Sequence, residues 1–356
     1  MPKNLPIDPT AIRRATALES GRVLVHAYTT PLETERESLG DDALRRILRD
    51  MVIVREFEAM LDEFKRQGTY EGVEYTHLGP AHLSIGQEAA AVGQAAALTV
   101  DDHVFGSHRS HGEIIAKGLA AIEQLDESAL ATVMEGFRGG KPLTVVDRAL
   151  AAADVRERGV QFLLYGLLAE IFGRRTGFNL GLGGSMHAFF PAFGIYPNNA
   201  IVGGSAPIAT GAALYKRLFG NRGSMAVANI GDGSSGCGVV WESINFAGMQ
   251  QLRLLWEERF RGGLPVLFFF CNNFYAMGGQ TQGETMSYDA LARIALGFGE
   301  SGLHAEIVDG NDPLAVADAV RRKRPLLVNG EGPVLLDVQC YRQSGHSTSD
   351  ASSYRT

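Results

Sequence analysis

The sequence predicts an α/β protein built on a parallel sheet that helices cover on both faces. Continuous apolar segments such as Met225–Ile230 and Leu264–Cys271 lack polar alternation, as is typical of strands buried on both faces. Segments with helical periodicity separate these strands, and the two kinds of segment alternate along the second half of the chain. Such sheets bind ligands at the carboxyl ends of their strands, so we expect a site there.

The predicted elements follow one another in a regular order. A helix opens the folded part near Asp41, where apolar residues recur at helical spacing, and an alanine-rich helix follows at Gln87–Leu98. Strands and helices then alternate towards the end of the chain. The predicted helices of this second half are Ala206–Phe219, Gly236–Leu255, Tyr288–Leu296 and Pro313–Arg322, and the strands are Met225–Ile230, Leu264–Cys271, His304–Val308 and Pro333–Tyr341.

The predicted organisation is a short extension followed by one large domain. Residues 1–40 mix prolines and charges without steady periodicity, which indicates an N-terminal extension. Residues 41–356 form the α/β domain, a size that a single α/β domain can reach. Within it, residues 119–166 have helical periodicity and form a predicted helical insertion.

Composition excludes several classes of partner. The chain has 33 Lys and Arg residues and 40 Asp and Glu residues, which gives a formal net charge of −7. It contains no basic cluster that could neutralise nucleic-acid phosphates. The apolar run Leu264–Cys271 is far too short to cross a bilayer, and the N-terminus lacks a signal core, so we expect no membrane contact. Three cysteines without metal-site spacing favour a reducing cytoplasm, and Cys271 and Cys340 are predicted to be inert core thiols.

Two short motifs follow two successive predicted strands. Gly231-Asp232-Gly233, continued by Ser234, ends the first strand and opens a helix, where backbone amides can bind phosphate. Asn272-Asn273 ends the second strand. A lone Gly-Asp-Gly is often only a tight turn. Together, however, a carboxylate and an amide oxygen at one sheet edge are the hard ligands that Mg²⁺ prefers.

These two motifs and four further blocks resemble the α subunit of the thiamin diphosphate-dependent E1 component of 2-oxo acid dehydrogenase complexes, a family that includes acetoin dehydrogenase. The resemblance covers roughly residues 45–356 in order. It implies the thiamin diphosphate-binding fold and oxidative decarboxylation of a 2-oxo acid, with acyl transfer to a lipoyl-bearing E2. The four further blocks are His82–Glu88, Ser107–Gly112, Gly183–His187 and Tyr341–Asp350.

The resemblance also implies roles for individual residues. Asp232, the side chain of Asn273 and the backbone carbonyl of Tyr275 correspond to the Mg²⁺ ligands. His82 and His346 correspond to histidines near the thiazolium and the substrate, and we expect them to titrate near neutrality and serve as proton or hydrogen-bond donors. The residues that correspond to cofactor contacts are His108, Arg109, Ile201, Val202, Gly203, Gly231, Asp232, Gly233, Ser234, Asn273, Tyr275, Met277 and His346.

The resemblance further implies a partner and leaves alternatives open. The glutamate that the thiamin mechanism requires comes from the β subunit in this family, so we expect a separate or fused E1 β partner in a heterotetramer. The chain ends inside a family block, which indicates truncation or continuation into a longer chain. Acetoin replaces a 2-oxo acid as substrate in one alternative, and a non-catalytic assembly or regulatory subunit is the alternative from another class.

Overall fold

A seven-stranded sheet forms the centre of the part of the chain that this computed structural model describes, residues 8–17, 20–220, 222–298 and 302–355. The strands in chain order are β1 (Leu24–Val25), β2 (Thr69–Tyr70), β3 (Val73–Glu74), β4 (His103–Phe105), β5 (Ile195–Tyr196), β6 (Ala226–Gly231), β7 (Val266–Asn272), β8 (His304–Asp309) and β9 (Val334–Gln339). Strands β2 and β3 form a separate antiparallel hairpin. The others run in the order β1-β8-β9-β7-β6-β4-β5, and every neighbouring pair is parallel.

Helices cover both faces of this sheet, which confirms the predicted fold class. In chain order they are α1 (Leu32–Leu39), α2 (Asp41–Arg66), α3 (Glu88–Ala96), α4 (His111–Gln124), α5 (Glu127–Gly136), α6 (Lys141–Ala149), α7 (Val155–Ile171), α8 (Ser205–Leu218), α9 (Gly238–Ala247) and α10 (Pro313–Val328). Helices α3 and α10 lie on one face, and α8 and α9 lie on the other. Among the described residues, no helix combines the length and apolar character that crossing a bilayer requires.

Strand β7 shows why the apolar pattern is continuous. Side chains point alternately to opposite faces of a strand, so both sets of residues need apolar neighbours when both faces are covered. Phe268 and Phe270 pack in the cluster that contains α8 and α9, whereas Leu267 and Phe269 pack against α3 and α10. All four side chains are buried, and the strand therefore lies at the centre of two apolar layers.

The register of the central strands places the polar motifs at one edge of the sheet. Gly231 at the end of β6 pairs with Cys271 of β7, and Asn272 at the end of β7 pairs with Gln339 of β9. Three loops consequently leave the sheet side by side. They begin at Asp232, Asn273 and Cys340, and the third continues directly into the segment that contains Arg342.

Three helices differ from their predictions. The predicted helix Tyr288–Leu296 is a 3₁₀ helix at Leu291–Gly297. The predicted helix Gly236–Leu255 is two elements, because α9 ends at Ala247, with Gly248 as its cap, and a single π-helical turn follows at Gln251–Leu255. Helix α10 continues to Val328, beyond the predicted end at Arg322, and contains Pro325. Proline is disfavoured inside a helix, but here the apolar face of α10 stays packed on the sheet through Leu327.

Two segments of the predicted domain organisation, the N-terminal extension and the helical insertion, can be compared with the structure. Of the predicted extension 1–40, residues 1–7 and 18–19 lie outside the described residues, and the rest contributes α1 and the edge strand β1, which pairs with β8. The segment 119–166 is helical as predicted, and spans the end of α4, α5, α6 and most of α7. Its status as an insertion remains a prediction.

We expect the substitution Phe268→Ala to lower the free energy of unfolding by about 3–5 kcal/mol, because it leaves a cavity between β7 and the α8–α9 layer. Phe219→Ala is the matched control, since Phe219 is 73% exposed and its change should stay within about 0.5 kcal/mol. Urea unfolding of both variants measures the difference. Equal losses would contradict the two-layer core.

Candidate functional site

A cavity of about 240 Å³ opens where β6 and β7 end. Its walls come from the loops that follow these strands, from the segments that precede α3 and α4, and from the segment after β9. Most of the residues that the resemblance singled out line this cavity. They are His108, Arg109, Val202, Gly231, Asp232, Gly233, Ser234, Asn273, Tyr275, Met277 and His346.

Asp232 supplies the buried carboxylate of the cavity. The hydroxyl of Thr281 donates to its Oδ2 at 2.6 Å, and the backbone amide of Asn273 donates to its Oδ1 at 3.4 Å. Burial raises the pKa of Asp232 to about 6, and the Thr281 hydrogen bond acts in the opposite direction. The carboxylate is thus held in a setting that favours added positive charge, because a cation stabilises its ionised form.

Two further oxygens point towards a common position. Arg342 Nη1 lies 3.5 Å from Asn273 Oδ1 and 3.4 Å from the carbonyl oxygen of Tyr275. The amide nitrogen of Asn273 donates to Gln87 at 2.9 Å, which orients its Oδ1 away from Gln87. Phe274 has a φ of 65°, an unusual value for a residue with a side chain, and this turn brings the Tyr275 carbonyl round to the cavity.

Arg109 joins three segments around the cavity. Its Nη1 donates to the carbonyl of Leu83 at 2.7 Å, and its Nη2 donates to the carbonyl of His346 at 2.8 Å. Burial, and then the nearby Arg342, lower the pKa of Arg109 to about 10, so the guanidinium remains charged at neutral pH. Arg109 and Arg342 both line the cavity, and their two positive charges suit it to an anion.

Three histidines lie together at one side of the cavity. The ring centroids of His82 and His108 are 4.9 Å apart, those of His82 and His346 are 5.0 Å apart, and those of His108 and His346 are 5.5 Å apart. Burial and then the charge of Arg109 lower the pKa values of His82 and His346 to about 4 and that of His108 to about 2. The expectation that His82 and His346 titrate near neutrality is therefore wrong. They are neutral at pH 7.

A buried network lies next to the cavity and connects residues of three of the sequence blocks. His111 Nε2 is 2.8 Å from the hydroxyl of Ser185, and His111 Nδ1 is 3.2 Å from Glu58. Ser84 donates to the same carboxylate oxygen of Glu58 at 3.0 Å. This network connects α2 and α4 with the Gly183–His187 turn, and His187 itself is exposed. The turn therefore supports the site through Ser185.

Three residues singled out by the resemblance lie outside the cavity lining. His82 reaches the site through its contacts with the rings of His108 and His346. Ile201 is 73% exposed, and Gly203 is buried next to α9, where a side chain would meet Val240. The roles of these three residues stay predictions.

The cavity also contains residues that sequence reasoning missed. Gln87, Ser107 and Arg342 lie inside sequence blocks on which the resemblance depends, so the sequence contained a signal for them. Glu113 and Cys271 also line the cavity, but they lie outside these blocks and no sequence pattern marked them as site residues.

Cys271 is more than a core thiol. Its Sγ lies 3.5 Å from that of Cys340, and it lines the cavity directly beneath the Asn272-Asn273 motif. The sulfur contact and burial raise the pKa of Cys340, which keeps that thiol protonated. The prediction of an inert core thiol therefore describes Cys340 and not Cys271, since one cysteine faces the cavity.

Glu113 is an unusual group for a cofactor-sized cavity. It lies in the first turn of α4, where the backbone amide of Ser107 donates to its carboxylate. Its Oε2 is buried and has no partner within the described part of the chain. Burial raises the pKa of Glu113 to about 8. The side chain is consequently a neutral acid at pH 7.

Comparison with known proteins identifies the family. The family profile of the dehydrogenase E1 component matches residues 49–148 and 147–356. The chain is 32% identical over 316 residues to the pyruvate dehydrogenase E1 component subunit alpha of Zymomonas mobilis, which covers 88% of this chain and 70% of that protein. The protein of the same name from Rhizobium meliloti is 32% identical over 308 residues, 86% and 69% of the two chains.

A mitochondrial relative with the same subunit name, from Kluyveromyces lactis, is 32% identical over 314 residues, 88% of this chain and 59% of that protein. The chain belongs to the dehydrogenase E1 component family and is of the E1 α type. Membership implies the use of thiamin diphosphate.

We expect Glu113→Gln to stabilise the chain at alkaline pH. The pKa of Glu113 rises from its ordinary 4.5 to about 8 on folding, so the folded state binds more protons than the unfolded state between these values. The free energy of unfolding of the unsubstituted chain therefore falls as the pH rises through this window. Above pH 8, the free energy of unfolding of the variant should be higher by about 2–4 kcal/mol.

Urea unfolding at several pH values measures this effect. Glu242→Gln is the matched control, since Glu242 is exposed on α9 and its substitution should leave the pH profile unchanged. At pH 4 the Glu113→Gln advantage should vanish, because the carboxyl is then protonated in both states. A constant difference at all pH values would show that Glu113 does not titrate as assigned.

Proposed function

We propose that this chain is the cofactor-binding subunit of a thiamin diphosphate- and Mg²⁺-dependent enzyme that decarboxylates a 2-oxo acid and transfers the acyl group to a lipoyl-bearing E2. The observation that carries the proposal is the convergence of the oxygens of Asp232, Asn273 and Tyr275 on the edge of the sheet, beside two buried arginines. Family membership supports the same conclusion.

The residues present fit the metal and the diphosphate. A carboxylate, an amide oxygen and a backbone carbonyl form an oxygen donor set, which suits Mg²⁺ and not a softer metal. Two of these oxygens already face one positively charged group, the guanidinium of Arg342. Arg109 and Arg342 supply positive charge for the diphosphate, and Gly233 and Ser234 line the same wall of the cavity.

Bound thiamin diphosphate supplies a carbon nucleophile and an electron sink for the loss of carbon dioxide. This chain contributes orientation and charge. His82 and His346 carry neutral imidazoles that can donate a hydrogen bond to the carboxylate or the oxygen of the substrate. Arg109 lies within 3.4 Å of His346 Nδ1, so it holds that ring in place and adds positive charge near developing negative charge.

Acetoin is the second candidate substrate. His108 stands where many members of the family have tyrosine, and the variant block His108–Gly112 resembles the acetoin branch. In the structure His108 lines the cavity and contacts the ring of His346, so it can influence which substrate fits. Assay of the assembled enzyme with pyruvate, branched-chain 2-oxo acids and acetoin distinguishes these substrates.

A β-type partner completes the proposed site. Apolar side chains stand exposed around the cavity mouth, with Ile201 at 73%, Val202 at 46% and Met277 at 76% exposure. Exposed apolar residues at a site mouth are typical of a surface that a partner covers. The relatives are also named as α subunits, and we therefore propose an E1 β partner, separate or fused, in a heterotetramer, and cytoplasmic assembly with E2.

We expect Asp232→Ala to weaken thiamin diphosphate binding at least about tenfold in the presence of Mg²⁺, because it removes the charged metal ligand. Calorimetry with and without Mg²⁺ measures the loss. Asp289→Ala, a substitution of an exposed aspartate that pairs with Arg293, is the control and should bind normally. Unchanged affinity in Asp232→Ala would refute the metal assignment.

We expect the isolated chain to show negligible decarboxylation of any 2-oxo acid, since the proposed site lacks the acid that the partner contributes. Addition of a β-type partner subunit should restore turnover, measured as carbon dioxide release with an artificial electron acceptor. Asp232→Ala assembled with the same partner is the negative control. Substantial turnover by the chain alone would contradict the shared site.

A further inference from the structure

A second set of potential metal ligands lies beside the cavity. His82 precedes α3, His108 precedes α4 and His346 follows β9, and one ligand nitrogen from each lies within 4.8 Å of the other two. His82 Nδ1 and His108 Nε2 are buried and lack a hydrogen-bond partner within the ranges that the structure describes. Buried polar atoms without a partner are uncommon and often mark the place of a water or an ion.

We propose that this histidine cluster binds a divalent transition-metal ion such as Zn²⁺, at a position distinct from the oxygen ligands proposed for Mg²⁺. Imidazole nitrogens suit Zn²⁺, Co²⁺, Ni²⁺ and Cu²⁺, whereas Mg²⁺ requires oxygen ligands. The two sites therefore select different metals by ligand chemistry. This binding goes beyond the proposed thiamin chemistry and does not depend on it.

The geometry is close to that of a three-histidine zinc site. With metal–nitrogen distances of about 2.0–2.1 Å, ligand nitrogens of a tetrahedral site lie about 3.3 Å apart, so the rings must approach one another by roughly 1–1.5 Å. All three residues lie on loops and not inside regular strands or helices, where such a shift requires only side-chain rotation and small loop movement.

Charge acts in two directions at the cluster. Burial and the neighbouring arginines keep all three imidazoles neutral, so each ring has one lone pair that can bind a metal, although the lone pair on His346 Nδ1 already faces the guanidinium of Arg109. Arg109 Nη2 lies only 3.4 Å from His346 Nδ1, however, and its positive charge repels a dication. We therefore expect affinity in the micromolar range, weaker than that of structural zinc sites.

The proposed ion would regulate the enzyme. His108 and His346 line the cavity, so an ion between them remains accessible to ligands that enter it. Zn²⁺ would also add positive charge to the rings of His82 and His346 and fix their orientation, and the proposed reaction uses these rings as hydrogen-bond donors. This consequence, and only this one, rests on the proposed function, and it makes Zn²⁺ an inhibitor that competes with substrate.

Cobalt is the probe for the experiment, because Co²⁺ bound to nitrogen ligands has visible absorption bands. These bands disappear when Zn²⁺ displaces the Co²⁺ ion. The full chain, in excess Mg²⁺, should bind one equivalent of Co²⁺ in the micromolar range. His108→Gln and His346→Gln should each weaken binding at least about tenfold. His187→Gln is the matched control, since His187 is exposed and outside the cluster, and it should bind as the unsubstituted chain does.

Asp232→Ala separates this site from the proposed Mg²⁺ site. It should retain Co²⁺ absorption while it loses thiamin diphosphate affinity, so failure of one proposal leaves the other intact. Far-UV circular dichroism checks that each variant is folded. Absence of saturable Co²⁺ binding by the unsubstituted chain, or equal binding by His108→Gln and His346→Gln, overturns the histidine site. Loss of Co²⁺ binding in Asp232→Ala alone would place the ion on the oxygen ligands and would also overturn it.

Discussion

The parallel register of β6, β7 and β9 is the constraint on which the site depends. Because Gly231 pairs with Cys271 and Asn272 pairs with Gln339, three loops leave the sheet at the same level. A slip of one residue would turn the side chains of a strand to the opposite face, and both faces are closely packed with apolar residues. The core that stabilises the sheet therefore also aligns the oxygens of Asp232, Asn273 and Tyr275.

Buried charged groups determine which ligands this edge of the sheet can bind. The cavity buries the carboxyl group of Asp232, whose pKa is raised, and two arginines whose pKa values are lowered, and the burial of charged groups is costly. A dication would add charge of opposite sign beside the carboxylate, and a diphosphate would do so beside the arginines. Glu113, with its unpartnered oxygen, adds a further polar group that burial keeps neutral. Such local destabilisation is typical of binding sites, where ligands provide the missing interactions.

Surrounding loops hold these groups through a few buried contacts. Arg109 bridges Leu83 and His346, and the Glu58–His111–Ser185 network fastens the Gly183–His187 turn to α2 and α4. Polar contacts of this kind between distant segments let irregular loops keep fixed positions beside a rigid sheet. The same arrangement brings His82, His108 and His346 together, although they are far apart in the chain.

The sequence by itself determined the fold class, the four strands β6 to β9, and most cavity residues, because apolar periodicity and the motifs at strand ends are local features. It did not predict the short strands β1 to β5, which have only two or three residues each. It could not determine the ends of α9 and α10, since Gly248 and Pro325 act through packing that the local pattern does not contain. Only the tertiary structure revealed Glu113, the cavity-facing Cys271 and the lowered pKa values of the histidines. Burial decides those properties, and burial is set by residues distant in the sequence, whose distances no local spacing encodes.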